Sequence, residues 1–152
     1  MVYVRKAKQT RANERNKSSV VAFSGYFDPL HVGHLEGIKL ASKLADELVI
    51  ILNTDEQCIL KKGKSFMPEE ERKKIMQSIK GVDRVVTSID TDESVCKTLE
   101  ALQPDIFAKG GDRFSDEIPE KQVCQELGIR LVDGLGAKIR SSRDFTGLGE
   151  EW

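Results

Sequence analysis

From residue 20 onward, short apolar runs alternate with stretches whose apolar positions recur at helical spacing. Residues 20–24 form a β-branched and aromatic run, which predicts a strand. Residues 32–45 place Leu35, Ile38, Leu40, Ala41 and Leu44 at intervals that suit one face of a helix. The run 48–52 is apolar throughout and predicts a buried strand, closed by Asn53-Thr54-Asp55. Residues 61–65, Lys-Lys-Gly-Lys-Ser, read as a loop. Pro68 followed by Glu69, Glu70 and Glu71 opens a helix, with proline in the first turn and acids against the helix dipole, running to about Ile79 and stopping at Gly81. Further strands are predicted over 84–89, 105–108 and 129–132. The helices between them have Asp92 as a cap with Val95, Leu99 and Leu102 on one face, and 119–127 closed by Gly128. Ser141-Ser142 is placed at the start of a short terminal helix.

Strands that are apolar on both faces, alternating with helices, predict an α/β fold: a Rossmann-like three-layer α/β/α sandwich with a five-stranded parallel sheet. Ligands of such folds bind beyond the carboxyl ends of the strands. Four polar segments fall there, at residues 25–34, 61–64, 110–113 and 138–143. No G-x-x-x-x-G-K-[ST] occurs, and Gly134-Leu135-Gly136 lacks the third glycine of a dinucleotide fingerprint.

Composition narrows the function classes. The chain of 152 residues is one domain's worth. Its net charge of −1 gives no hint of a nucleic-acid or membrane partner. Charge is uneven, however. Arg5, Lys6, Lys8, Arg11, Arg15 and Lys17 face Glu14 alone, so residues 1–18 read as a basic, flexible extension and 19–152 as the folded domain. No apolar run approaches the ~20 residues of a membrane helix, and no apolar leader opens the chain. Cys58, Cys96 and Cys124 form no C-x-x-C and read as reduced thiols of a cytoplasmic protein.

The chemistry concentrates in Gly25-Tyr26-Phe27-Asp28-Pro29-Leu30-His31-Val32-Gly33-His34, between the first strand and the first helix. His31 and His34 are the only histidines of the chain. Free backbone N–H groups at a helix start favour an anion. Imidazoles three apart on the first turn can point the same way, with Gly33 leaving room for a ligand. The constellation suits a phosphate chain and the charge that builds on phosphorus under in-line attack. The competing reading is two ordinary histidines on a helix end.

Residues 27–34 resemble the H-x-G-H segment of the cytidylyltransferase-like nucleotidyltransferase superfamily. Lys109-Gly110-Gly111-Asp112-Arg113 is similar to the K-G-G-D-Y of the heptose-phosphate adenylyltransferase domain, where glycerol-3-phosphate cytidylyltransferase has M-G-D-D-W. Ile139-Arg140-Ser141-Ser142 resembles the late I-S-T-T segment, and Glu71-Arg72 matches a further family position. The likeness spans residues 20 to about 145.

The resemblance implies transfer of a nucleotidyl group from a nucleoside triphosphate to a phosphorylated sugar or polyol. Pyrophosphate is released, without a covalent enzyme intermediate and with Mg²⁺ accompanying the triphosphate. AMP from ATP is narrowly favoured, with CMP from CTP next. His31, His34 and Lys64 are then the expected catalytic residues. Gly25, Tyr26, Phe27, Asp28, Gly33, Lys61, Lys62, Gly111, Asp112, Ser141 and Ser142 would hold the nucleotide, and Asp28 would also approach the metal. Arg72 would grip the acceptor phosphate as a bidentate fork, with Arg113 lining the acceptor pocket. Two departures bear on substrate. Gly136-Ala137-Lys138 stands where the cytidylyltransferase pattern has R-T-E-G, and Arg113 replaces an aromatic residue.

Three functions therefore compete. The first is this enzyme, expected as a homodimer with no membrane or nucleic-acid partner. The second is a non-catalytic nucleotide-binding regulator on the same fold. The third is a fragment related to class I aminoacyl-tRNA synthetases, whose H-I-G-H and K-M-S-K-S resemble residues 31–34 and 61–65. For the third the chain is short and the lysines come early.

Overall fold

The structure, a computed structural model, describes residues 18–110 and 118–135. Its elements run β1 (Val20–Gly25), α1 (Val32–Ala41), β2 (Glu47–Leu52), α2 (Asp55–Lys62), α3 (Glu69–Gln77), β3 (Arg84–Thr87), α4 (Cys96–Leu102), β4 (Ile106–Gly110), α5 (Glu120–Leu127) and β5 (Arg130–Leu135). The expected sites Gly111, Asp112, Arg113, Ser141 and Ser142, the basic extension up to residue 17 and the expected terminal helix lie outside the described residues.

All five strands pair in parallel, in the order β3-β2-β1-β4-β5. Chain order reverses at β1, between β2 on one side and β4 on the other. The crevice beyond the carboxyl ends of β1 and β4 is thus the switch point where such sheets bind ligands. The two-residue alternation of side chains explains the layering. Val21, Phe23, Leu48, Ile50 and Leu52 point to one face and pack with Ile38 and Ala41 of α1 and Met76 of α3. Ala22, Ile51 and Phe107 point to the other, against Val95, Leu99 of α4 and Cys124 of α5. Burying each large apolar side chain contributes about 1.5–3 kcal/mol, so the two clusters hold the sandwich together.

Carboxylates secure the end of the sheet opposite the switch point. Asp105 accepts from Val20 N–H at 2.8 Å, Asp83 from Leu48 N–H at 2.8 Å and Asp46 from Ser19 N–H at 3.1 Å. Cys58 and Cys124 are buried and burial pushes both thiols up to about 11, so they stay protonated.

Two local expectations change. Residues 55–62 are helical, so Lys61 and Lys62 lie in the last turn of α2 rather than in a loop. α4 begins at Cys96, and Asp92 is not its cap. Asp92 instead accepts from the Ser94 N–H and hydroxyl (3.0 and 2.7 Å), while Asp90 reaches the α4 amides of Lys97 and Thr98 at 2.7 and 2.9 Å. A carboxylate six residues before the helix thus takes the capping role expected of Asp92.

Candidate active site

The turn from β1 to α1 is shaped by Phe27. It has φ +52°, a left-handed backbone uncommon for a bulky residue, and its ring is fully buried. A Cβ on Gly25 would lie 2.6 Å from that ring, so Gly25 gives Phe27 its place. The Phe27 ring meets His34 edge-on, with centroids 4.9 Å apart and planes at 81°.

The two histidines cap their own helix. His31 is the N-cap of α1, and its Nδ1 accepts from Gly33 N–H at 3.1 Å. His34 Nδ1 accepts from His31 N–H at 3.2 Å, which closes a reciprocal capping box. The rings stack with centroids 3.8 Å apart and planes at 23°. With both Nδ1 atoms acting as acceptors, the N–H that each ring can offer is at Nε2. Burial, then the neighbouring His31 and Lys62, push the His34 pKa down to about 3. His34 is therefore a neutral donor at pH 7. The first turn of α1 holds no acidic residue, so its positive end is unopposed and suits an anion.

α2 begins with a second capping box. Thr54 Oγ1 accepts from Gln57 N–H at 3.1 Å, and Gln57 Oε1 accepts from Thr54 N–H at 3.0 Å. The helix ends at Gly63, with φ +90° and its N–H on the Ile59 carbonyl at 2.8 Å. This directs Lys62 to Asp28. Its ammonium donates to the Asp28 carbonyl and lies 3.2 Å from Asp28 Oδ2. Burial lowers the Lys62 pKa, and the Asp28 carboxylate works against that shift. Asp28 is fully buried and accepts from Phe66 N–H at 2.9 Å and Met67 N–H at 2.6 Å. Lys61 stands 5.8 Å from the Tyr26 ring centroid, and the exposed Lys64 stands 5.0 Å from that of Phe66.

These contacts bear on two expectations. Both Asp28 oxygens are engaged by amides and an ammonium, so Asp28 clamps the lysine segment. Among the described residues no group of three or more His, Cys, Asp or Glu could hold a metal ion. Arg72 does not reach out to an acceptor phosphate either. It is 1% exposed, with Nε on the Met67 carbonyl (2.8 Å), Nη1 on the carbonyls of Tyr26 (2.7 Å) and Asn53 (2.9 Å), and Nη2 on Asp55 Oδ1 (2.7 Å). Four of its five N–H donors are directed at the protein.

The structure thus brings His31, His34, Lys61, Lys62 and Asp28 together. It adds Asn53, Asp55, Gln57, Ser65, Phe66 and Met67, none of which the sequence reading singled out. The buried Gln57 joins the capping box to the loop after β3, through Asp92 and Ser94 carbonyls at 2.7 and 2.9 Å. One signal for this region was present: Thr54-x-x-Gln57 is a capping-box sequence.

Comparison with known proteins places the molecule. The family model for cytidylyltransferase-like proteins matches residues 22–135. The chain belongs to the cytidylyltransferase-like family. Similar proteins include an FAD synthase of Ferroglobus placidus, 33% identical over 124 residues that make up 82% of this chain and 78% of that one. An FAD synthase of Aciduliprofundum boonei is 37% identical over 111 residues, covering 73% of each. The bifunctional protein HldE of Desulfatibacillum aliphaticivorans is 34% identical over 120 residues, 78% of this chain but 24% of its own length. Among solved structures, the lipopolysaccharide core biosynthesis protein of Thermoplasma volcanium superposes with a TM-score of 0.67 at 25% identity, covering 77% of this chain and 96% of that one. The matched region of this cytidylyltransferase-like chain contains the histidine turn, the lysine segment and Arg72. No helix among its described residues is long and apolar enough to cross a membrane.

Proposed function

We propose that this chain transfers an adenylyl group from ATP to the phosphate of a small acceptor and releases pyrophosphate. The stacked His31–His34 pair carries this reading, because it sets two Nε2 donors on the first turn of α1 at the switch point. An acceptor phosphate oxygen attacks the α-phosphorus, its new P–O bond forming as the bond to the β-phosphate breaks. The leaving pyrophosphate gathers negative charge. Imidazole N–H groups fixed through Nδ1 meet that charge without reorganising, which is where a preorganised donor lowers a barrier. Mg²⁺ arrives with the triphosphate as part of the substrate. Lys61 and Lys64 supply positive charge beside the turn, and Lys62 orders the segment that carries them. Gly111, Asp112, Ser141 and Ser142 complete the nucleotide site in this reading, with Arg113 at the acceptor.

The FAD synthase relatives support ATP as the donor and point to flavin mononucleotide as a first acceptor to try, beside sugar and polyol phosphates. The test incubates the protein with Mg²⁺, either ATP or CTP, and each acceptor in turn. Pyrophosphate release is followed and products are weighed by mass spectrometry. The expected result is an AMP adduct of one acceptor. Silence with every pair, or CMP adducts alone, contradicts the proposal.

A further inference from the structure

Arg72 is buried and turned toward the protein. We infer that Arg72 is a positioning residue, which locks the histidine turn to the lysine segment and so sets the grip on the triphosphate. This rests on the nucleotidyl-transfer reading above and adds a residue to its machinery.

The argument is geometric. Arg72 lies buried on α3. Its guanidinium meets the histidine turn and both ends of the segment that carries the lysines. Tyr26, whose carbonyl it holds, is two residues before Asp28 in the turn that carries the histidines. Asn53, held through its carbonyl, follows β2 and donates its own N–H to Gly25 at 3.1 Å, so the same bond network fixes the start of that turn. Asp55 opens α2, the helix that ends in Lys61 and Lys62. Met67 closes the lysine segment and binds Asp28 through its N–H. Ser65, next to Lys64, donates to the same Asp55 oxygen at 2.9 Å and joins the segment to the pair. Burial alone works against the Asp55 carboxylate, yet its hydrogen bonds from Arg72 and Ser65 hold it below the usual range.

Only a planar fork with donors in three directions satisfies this set. A lysine would supply one charge at one point and leave buried carbonyls unpartnered. The fork also explains why a cation sits fully buried with one carboxylate beside it: carbonyl dipoles from three segments complete its solvation.

The experiment uses the full chain and steady-state kinetics with ATP and whichever acceptor supports pyrophosphate release. Asp55→Asn keeps the side chain's shape and its acceptor oxygen but removes the negative charge from one end of the tie, at a partly exposed site. Arg72→Lys removes the fork and keeps the charge. We expect the KM for ATP to rise roughly tenfold in Asp55→Asn, the difference between a charge-assisted hydrogen bond and a neutral one, with the acceptor KM changed by less than about twofold. In Arg72→Lys the same split is expected, with lower kcat. A rise confined to the acceptor KM would return Arg72 to the acceptor site and overturn the inference. So would both variants losing only active fraction, with both KM values unaltered, because that marks a merely structural role. If Arg72→Lys fails to fold, the Asp55→Asn split still decides. Wild-type protein that binds no ATP contradicts the nucleotidyl-transfer reading itself, and that result is separate from either variant's.

Discussion

His34 shows how much one side chain's surroundings decide. Burial and nearby positive charge hold its pKa near 3, against 6.5 for an ordinary histidine. Protons therefore bind the unfolded chain more readily than the folded one between those values. Stability from His34 is fully present above pH 6.5 and is lost as pH falls toward 3. Asn at this position keeps an acceptor near the place of Nδ1 and cannot titrate. Thermal melts from pH 7 to pH 4 are expected to fall less steeply for His34→Asn than for wild type. Parallel curves would mean the ring is not held neutral. The sequence showed that two histidines shared one helix start. It could not show that they cap that helix, because Ser, Thr, Asp and Asn are the usual N-caps and His is not.

At the scale of elements, the strands and the helices α1, α3 and α5 were legible because each has an apolar period or a terminal signal of its own. α2 was not. Lys61-Lys62-Gly63-Lys64-Ser65 looks like a loop when charge and glycine are weighed alone, yet Gly63 is the helix stop and the lysines precede it. α4 was legible as a helix but not at its start, since its amides are capped from Asp90, seven and eight residues away. Arg72 was assigned an acceptor phosphate for a similar reason. Its four protein partners lie 5 to 46 residues away in the chain, a separation no local pattern records. Gly63 offers a test of the α2 ending. Nothing lies within 4 Å of a Cβ built there, so Gly63→Ala carries only the cost of a left-handed backbone, about 1–2 kcal/mol. Urea unfolding is expected to show that loss. A variant as stable as wild type would place Gly63 in another conformation.

For the whole molecule, the parallel sheet sets a division of labour. Asp46, Asp83 and Asp105 secure one end of the strands, and the histidine turn and the lysine segment occupy the other. The fold class was legible because strands buried on both faces leave continuous apolar runs. The closing of the site was less so, since it depends on Asp28 and Arg72 drawing distant segments together. The chain's membership of the cytidylyltransferase-like family agrees with this arrangement and leaves its acceptor to experiment. The central claim is that the imidazole pair stabilises the charge of nucleotidyl transfer. Its most direct test is pyrophosphate release from ATP at saturating substrates, wild type against His34→Ala, with folding checked by circular dichroism. Loss of one preorganised donor predicts a fall in kcat of about 10²–10³. A folded His34→Ala protein that turns over within a few-fold of wild type would contradict the account.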